Sequence, residues 1–211
     1  MTGPTSLQYD TFYHIYNRGV NRTDVFLEER NYALFWKLYL EHIDPVARTY
    51  AYCLMKNHFH LLVRTRSEDE IGQKYPPHIS RNLIYGDISR SLSPSKKFSD
   101  FFNAYSKSIN ATYQRAGSLF QHPFGRVLIK DDSQFTTVIA YIHQNPQKHH
   151  FVDDFRGWKY SSYSTILSEN PTHLQRDEVL MWFGGRYKFQ QIHAEWVEEK
   201  RSAWFAQADQ G

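Results

Sequence analysis

Two short segments of this 211-residue chain hold side chains whose types and spacing can do chemistry. The first reads Met55-Lys-Asn-His58-Phe-His60. On a strand, His58 and His60 project from one face while Phe59, Leu61 and Val63 point from the other. Two imidazoles on one strand face can chelate a single cation. The plainer reading is a pair of half-exposed histidines satisfied by their neighbours. The second segment reads Tyr141-Ile-His-Gln-Asn145-Pro146. At about 100° per residue, Tyr141 flanks a buried stripe of Phe135, Val138, Ile139 and Ile142, and Asn145 lies about 40° from it. His143 falls about 160° from Tyr141 and so faces elsewhere. A tyrosine hydroxyl, with its ordinary pKa of about 10, needs a metal or base to act as a nucleophile near neutral pH. The plainer reading packs Tyr141 at the core margin with Asn145 as a helix C-cap.

The elements that must position these groups follow from pattern. Residues 11–18 read as an aromatic-rich strand ending at Gly19, and residues 28–43 as a helix stopped before Pro45. Two further strands, 48–55 and 58–65, join at Lys56-Asn57, where Asn57 tolerates positive φ. Residues 67–97 are polar and proline-bearing and form a long insertion, with a short helix predicted near 79–90. A helix over 99–116 is predicted from Ser99-Asp100 as its cap and Gly117 as its C′ residue. A strand at 125–130 and a capped helix at 133–145, stopped by Pro146, complete the set. The first six elements match a ferredoxin-like α+β plan, an antiparallel sheet with helices packed on it. The chain divides into 1–150 and an α-helical C-terminal extension, 151–211.

Composition narrows the class. Apolar residues are 41% and charged residues 22%, an ordinary globular balance, while the aromatic share is 17%. One cysteine, Cys53, excludes an internal disulfide framework and a cysteine-rich zinc site. No apolar run is long enough to span a membrane, and the first residues lack a signal-peptide pattern, so a cytoplasmic location is expected. Net charge is +3, yet residues 67–130 hold nine Lys/Arg against five Asp/Glu. That bias makes the middle of the chain the better candidate to meet an anionic partner.

The ordered set of Met55-Lys-Asn-His58-Phe-His60 and Tyr141-Ile-His-Gln-Asn145-Pro146 resembles the single-tyrosine, HUH-type transposase superfamily. Within it the resemblance is to the REP-associated tyrosine transposases. Tyr16-Asn-Arg-Gly19, Gly117-Ser-Leu-Phe-Gln121 and Trp158-Lys-Tyr-Ser-Ser-Tyr163 agree, so the similarity spans roughly residues 11–165. The resemblance implies a metal-dependent transposase that cuts and rejoins hairpin-bearing single-stranded DNA. By it, His58 and His60 bind a divalent cation, Mg²⁺ or Mn²⁺, and Tyr141 forms a 5′-phosphotyrosine link. Insertion-sequence relatives place Gln four residues after the tyrosine; here Asn145 stands there, and either Asn145 or Gln144 can present the third ligand oxygen. Two imidazoles suit Mn²⁺ better than Mg²⁺.

Candidate DNA contacts are Arg18, Arg22, Arg126 and Lys148, with Phe120 and Gln121 placed to stack on or bond to unpaired bases. The alternative for Phe120 is the core. Tyr141 can serve its own chain or a partner's, so monomer and homodimer are both open. Two other functions fit the same residues. One is a non-catalytic, domesticated binder of structured DNA; the other is a metal-dependent hydrolase that uses water in place of Tyr141.

Overall fold

In the computed structural model, residues 5–74 and 92–195 are described. The elements run β1 (Phe12–Arg18), α1 (Glu29–His42), β2 (Ala47–Met55), β3 (His58–Thr65), α2 (Glu68–Lys74), α3 (Pro94–Thr112), β4 (Gly125–Leu128) and α4 (Asp132–Lys148). Three short helices follow: α5 (Tyr163–Leu167), α6 (Arg176–Phe183) and α7 (Arg186–Ala194). The sheet is antiparallel throughout, in the order β2-β3-β1-β4 that a ferredoxin-like chain path produces.

Strand alternation divides the sheet into two unlike faces. Tyr13, Ile15, Leu54, Phe59, Leu61 and Val63 turn toward α1 and α3, where they meet Phe35, Tyr39, Phe98, Phe101 and Tyr105. The rings pack edge to face: Phe35 lies 5.3 Å from Phe59, 4.9 Å from Phe101 and 5.5 Å from Tyr105 between centroids. Such pairs contribute about 0.5–1.5 kcal/mol each beyond the area they bury. On the other face, Ala51, Cys53, Met55 and Leu62 pack under Phe135, Val138, Ile139 and Ile142 of α4. Cys53 is fully buried there, and burial pushes its thiol up, so it stays neutral and serves as packing.

Local chemistry moved three predicted boundaries. Helix α3 begins at Pro94, not Ser99, because proline at the first helical position has preset φ and loses no needed N–H. Ser99 instead donates back to the Ser95 carbonyl at 3.0 Å. The helix ends at Thr112; the left-handed residue after its cap is Gln114 (φ 51°), and Gly117 (φ 85°) belongs to the following turn. Helix α4 opens on Asp131, whose carboxylate accepts from the Gln134 N–H at 2.9 Å, and runs through Pro146 to Lys148. Pro146 costs only one bond, to the Ile142 carbonyl, and sits in the last turn, where the His149 N–H still reaches the Asn145 carbonyl. The hairpin at Lys56-Asn57 forms without positive φ at Asn57. The helix predicted near 79–90 lies outside the described residues.

The extension covers the exposed edge of the sheet. β2 is an edge strand, and its unpaired backbone is taken up by residues far along the chain. The Leu54 N–H donates to the Tyr160 carbonyl, the Ser162 N–H to the Tyr52 carbonyl and the Gln175 N–H to the Thr49 carbonyl, each at 2.9 Å. Val179, Phe183 and Phe189 then close over Tyr163 in the same core that holds α4. Among the described residues, no helix is long and apolar enough to cross a membrane.

Candidate active site

His58 and His60 stand on the α4 face of β3, directly across from Arg18 and Tyr16 of β1. Both imidazoles are buried. Each has one ring nitrogen committed to a neighbour. His58 Nδ1 lies 2.6 Å from the Asn57 side-chain oxygen, which only accepts, so Nδ1 carries the proton and Nε2 the lone pair. His60 Nδ1 lies 2.9 Å from Nε2 of His14, with the rings stacked at 5.1 Å. If His60 donates in that bond, its Nε2 also presents a lone pair to the site.

Helix α4 lays Tyr141 over this face. Its ring meets His60 at 5.6 Å and His14 at 6.0 Å, both edge-on, within one chain. Lys148, two turns on, brings its ammonium 5.2 Å from the Tyr141 ring centroid. His149 follows and packs edge-on against His58 at 4.8 Å. These two residues reach the site because the helix does not stop at Pro146. Asn145 is fully buried; its Nδ2 donates to the Tyr141 carbonyl at 2.8 Å, and its Oδ1 has no hydrogen-bond partner. Gln144 points away, donating to the carbonyls of His193 and Glu195 at 3.0 and 2.8 Å. Of the two amides, Asn145 alone has its oxygen unengaged beside Tyr141.

The predicted DNA contacts separate into groups. Arg18 is 8% exposed and lies across the strand pair from His58, so it belongs to the histidine face. Gln121 is half-buried beside it, its N–H donating to the Arg18 carbonyl at 2.9 Å. Arg22 is exposed in the short turn after β1, with φ of 61°. Phe120 is a correction: it is fully buried against Phe59, Phe102 and Tyr105, and cannot stack on a base. Arg126 pairs with Ile15 and therefore leaves β4 on the α1/α3 face. There it stacks on the Phe124 ring at 3.8 Å and donates to the Thr5 carbonyl, away from the histidines.

Besides His149, four residues at the site were given no role there by the sequence. His14 and Tyr16 share the histidine face of β1, and Asn57 orients His58. Gly125 faces the Tyr16 ring so closely that an added Cβ would fall 2.1 Å from it. The glycine lets that ring lie flat across β4, where it borders His14 at 5.2 Å and His60 at 6.1 Å. The signal for His14 was present in the strand alternation, which puts it opposite Tyr13 and Ile15 on the same face as Tyr16.

No protein-family model matches the chain. A Haemophilus influenzae protein named "Putative REP-associated tyrosine transposase" is 30% identical over 115 residues, which cover 54% of this chain and 58% of that protein. The chain thus matches a little over half the length of this curated relative. A solved structure of a REP-associated tyrosine transposase bound to a REP hairpin superposes with a TM-score of 0.56 at 12% identity, covering 81% of this chain and 88% of that one. The α+β arrangement of antiparallel sheet, packed helices and helical C-terminus is therefore the fold of that structure. In motif order, in sequence over half its length and in fold, the chain is similar to the REP-associated tyrosine transposases.

Proposed function

We propose that this chain is a tyrosine transposase that cuts and rejoins single-stranded DNA beside a hairpin. One observation carries the reading: within a single chain the Tyr141 ring sits 5.6 Å from the His60 ring, on the sheet face that also holds His58. In the proposed step, Tyr141 Oη forms a bond to phosphorus as the bond to the 3′ oxygen breaks. The tyrosine proton ends on the released 3′-OH, and the 5′ end stays on the enzyme. Because one phosphoester replaces another, the step reverses without ATP. The Lys148 ammonium favours the developing phenolate by simple charge attraction. Arg18, across from His58, is placed to hold a phosphate oxygen. The hairpin as partner follows the structural relative, which is bound to one.

The residues present fit a divalent cation. His58 Nε2 and, with His60 donating to His14, His60 Nε2 offer two nitrogens on the sheet face that Tyr141 covers, and Asn145 Oδ1, one turn along the Tyr141 helix, offers a buried oxygen without a hydrogen-bond partner. Among the described residues, no three His, Cys, Asp or Glu side chains gather as a metal site, so the third protein ligand would be this amide. A Mg²⁺ or Mn²⁺ held there would polarise the scissile phosphate as a Lewis acid. Residues 1–150 would carry the reaction and 151–211 would support it.

The test uses the full chain, a labelled single strand carrying a hairpin with short flanks, and Mn²⁺. A covalent protein–DNA band that Tyr141→Phe abolishes is expected. Mixing Tyr141→Phe with His60→Ala chains should restore no activity if each chain uses its own tyrosine. Cleavage that survives Tyr141→Phe would turn the reading toward a water-using hydrolase. Hairpin binding without any adduct would leave a binding protein.

A further inference from the structure

Helix α4 has a second polar side that the proposed chemistry does not use. His143, two residues after Tyr141, is fully buried and faces the extension. Its Nδ1 lies 2.7 Å from His193 Nε2, and its Nε2 lies 2.7 Å from Ser162 Oγ. His193 Nδ1 in turn lies 2.7 Å from the Phe189 carbonyl. That carbonyl can only accept, so His193 donates to it; with both imidazoles neutral, His143 then donates to His193 and Ser162 to His143, the Tyr52 carbonyl lying 3.2 Å away as a second acceptor for the same hydroxyl. Both imidazoles are neutral in this arrangement, and every nitrogen is used. Ser162 also accepts from the Tyr52 N–H at 2.8 Å, so the network ends on the backbone of β2. Gln144 adds two bonds to the carbonyls at the end of α7.

We infer that His143, His193, Ser162 and Gln144 form a clamp that fixes the Tyr141 helix against the sheet of its own chain, making His143 and His193 positioning residues for the tyrosine. The consequence for catalysis rests on the nuclease reading; the consequence for the helix does not. The geometry supports a clamp over ordinary packing for a specific reason. Buried side-chain hydrogen bonds are directional, so they fix the rotation of α4 about its axis, which apolar contact alone leaves loose. Tyr141 and His143 lie on nearly opposite sides of the helix, about 160° apart, so fixing one side aims the other. A small misplacement of an attacking group is enough to lower a rate by orders of magnitude.

The test compares wild type with His193→Leu and His193→Gln. The Gln side chain can accept from His143 and donate to the Phe189 carbonyl, whereas Leu can do neither. In His193→Leu, backbone amides of residues 139–149 should exchange with deuterium at least about tenfold faster, with β1 and β3 amides changed less than about twofold. Adduct formation should slow by at least about tenfold while hairpin affinity stays within about twofold, and His193→Gln should restore both. Should His193→Leu fail to fold, Gln144→Leu is read the same way, with a smaller acceleration of about threefold at the same amides. Unchanged exchange in α4, equal acceleration in sheet and helix, or lost hairpin affinity at an unchanged adduct rate would each overturn the clamp. If wild type forms no adduct, the nuclease reading fails, and the exchange result still decides whether the clamp holds the helix.

Discussion

Phe59 and His60 are neighbours in sequence and belong to different molecules in chemical terms. Phe59 enters a dry layer of rings against Phe35, Phe102 and Phe120, in which shape and area decide everything. His60 enters a layer that is just as buried but polar: His14, His58, Tyr16 and Tyr141 surround it. Burying polar groups is costly unless they are bonded, and the site holds at least one, Asn145 Oδ1, that is not. One face of the sheet is thus built for stability, and the other keeps unspent bonding capacity where a ligand can use it. That division explains how a four-stranded sheet carries a buried polar site at all.

A matched pair of substitutions separates the two faces most clearly. Phe35→Ala on the dry face should cost about 3–5 kcal/mol of stability by chemical denaturation. His60→Asn keeps a polar partner for His14 and should cost less than about 1.5 kcal/mol, yet reduce adduct formation at least about a thousandfold. Equal losses of stability would erase the distinction between the faces.

Acid should attack the polar face from behind. Burial, with the second imidazole beside it, holds His143 well below the usual histidine range, and burial pushes His193 down to about 4. Among the described residues, the rings against the pair are Phe155, Tyr163, Phe183 and Phe189, with Ser162 bonded to His143, and none of these carries charge at acidic pH. The unfolded chain, with histidines near 6.5, binds more protons, so this contribution is complete above pH 6.5 and is lost as pH falls toward 4. From the His193 shift, at about 1.4 kcal/mol per pKa unit, the loss is on the order of 3 kcal/mol. Melting temperatures taken between pH 7 and 4 check it, and His193→Gln should flatten the slope.

Smaller effects refine the same picture. Gly125→Ala drives a Cβ into the Tyr16 ring and should cost about 1–3 kcal/mol, together with about tenfold in adduct formation. Arg126→Ala, on the face away from the histidines, should change adduct formation by less than about threefold, whereas Arg18→Ala should lower it by at least about tenfold. Side-by-side adduct assays on the two arginine variants measure that contrast.

The sequence made much of this arrangement readable because it depends on local periodicity. Alternation placed Phe59, Leu61 and Val63 opposite His58 and His60, and helical spacing brought Tyr141 and Asn145 to one side of a helix. What escaped was set by contacts distant in the chain. Alternation puts His14 on the histidine face, but its meeting with His60, 46 residues away, depends on β1 pairing with β3, which neither strand shows by itself. His149 was hidden by treating Pro146 as a helix stop, and Lys148, named only as a DNA contact, was not placed beside Tyr141, although a proline in the last turn leaves the following bonds intact. Phe120 was ambiguous because a ring beside a turn suits a base or a core equally, and only packing decides. The sheet-edge role of residues 160–175 rests on backbone bonds, which side-chain identity does not encode.

Tyr141 is the proposed atom-to-atom link with DNA. Trapping the product with a hairpin-bearing strand and Mn²⁺, digesting it, and mapping the modified peptide by mass spectrometry tests this most directly. The expected product is a single nucleotide-bearing peptide, containing Tyr141, attached through a 5′-phosphate. A modified residue elsewhere, or cleaved DNA with no modified peptide, would contradict it.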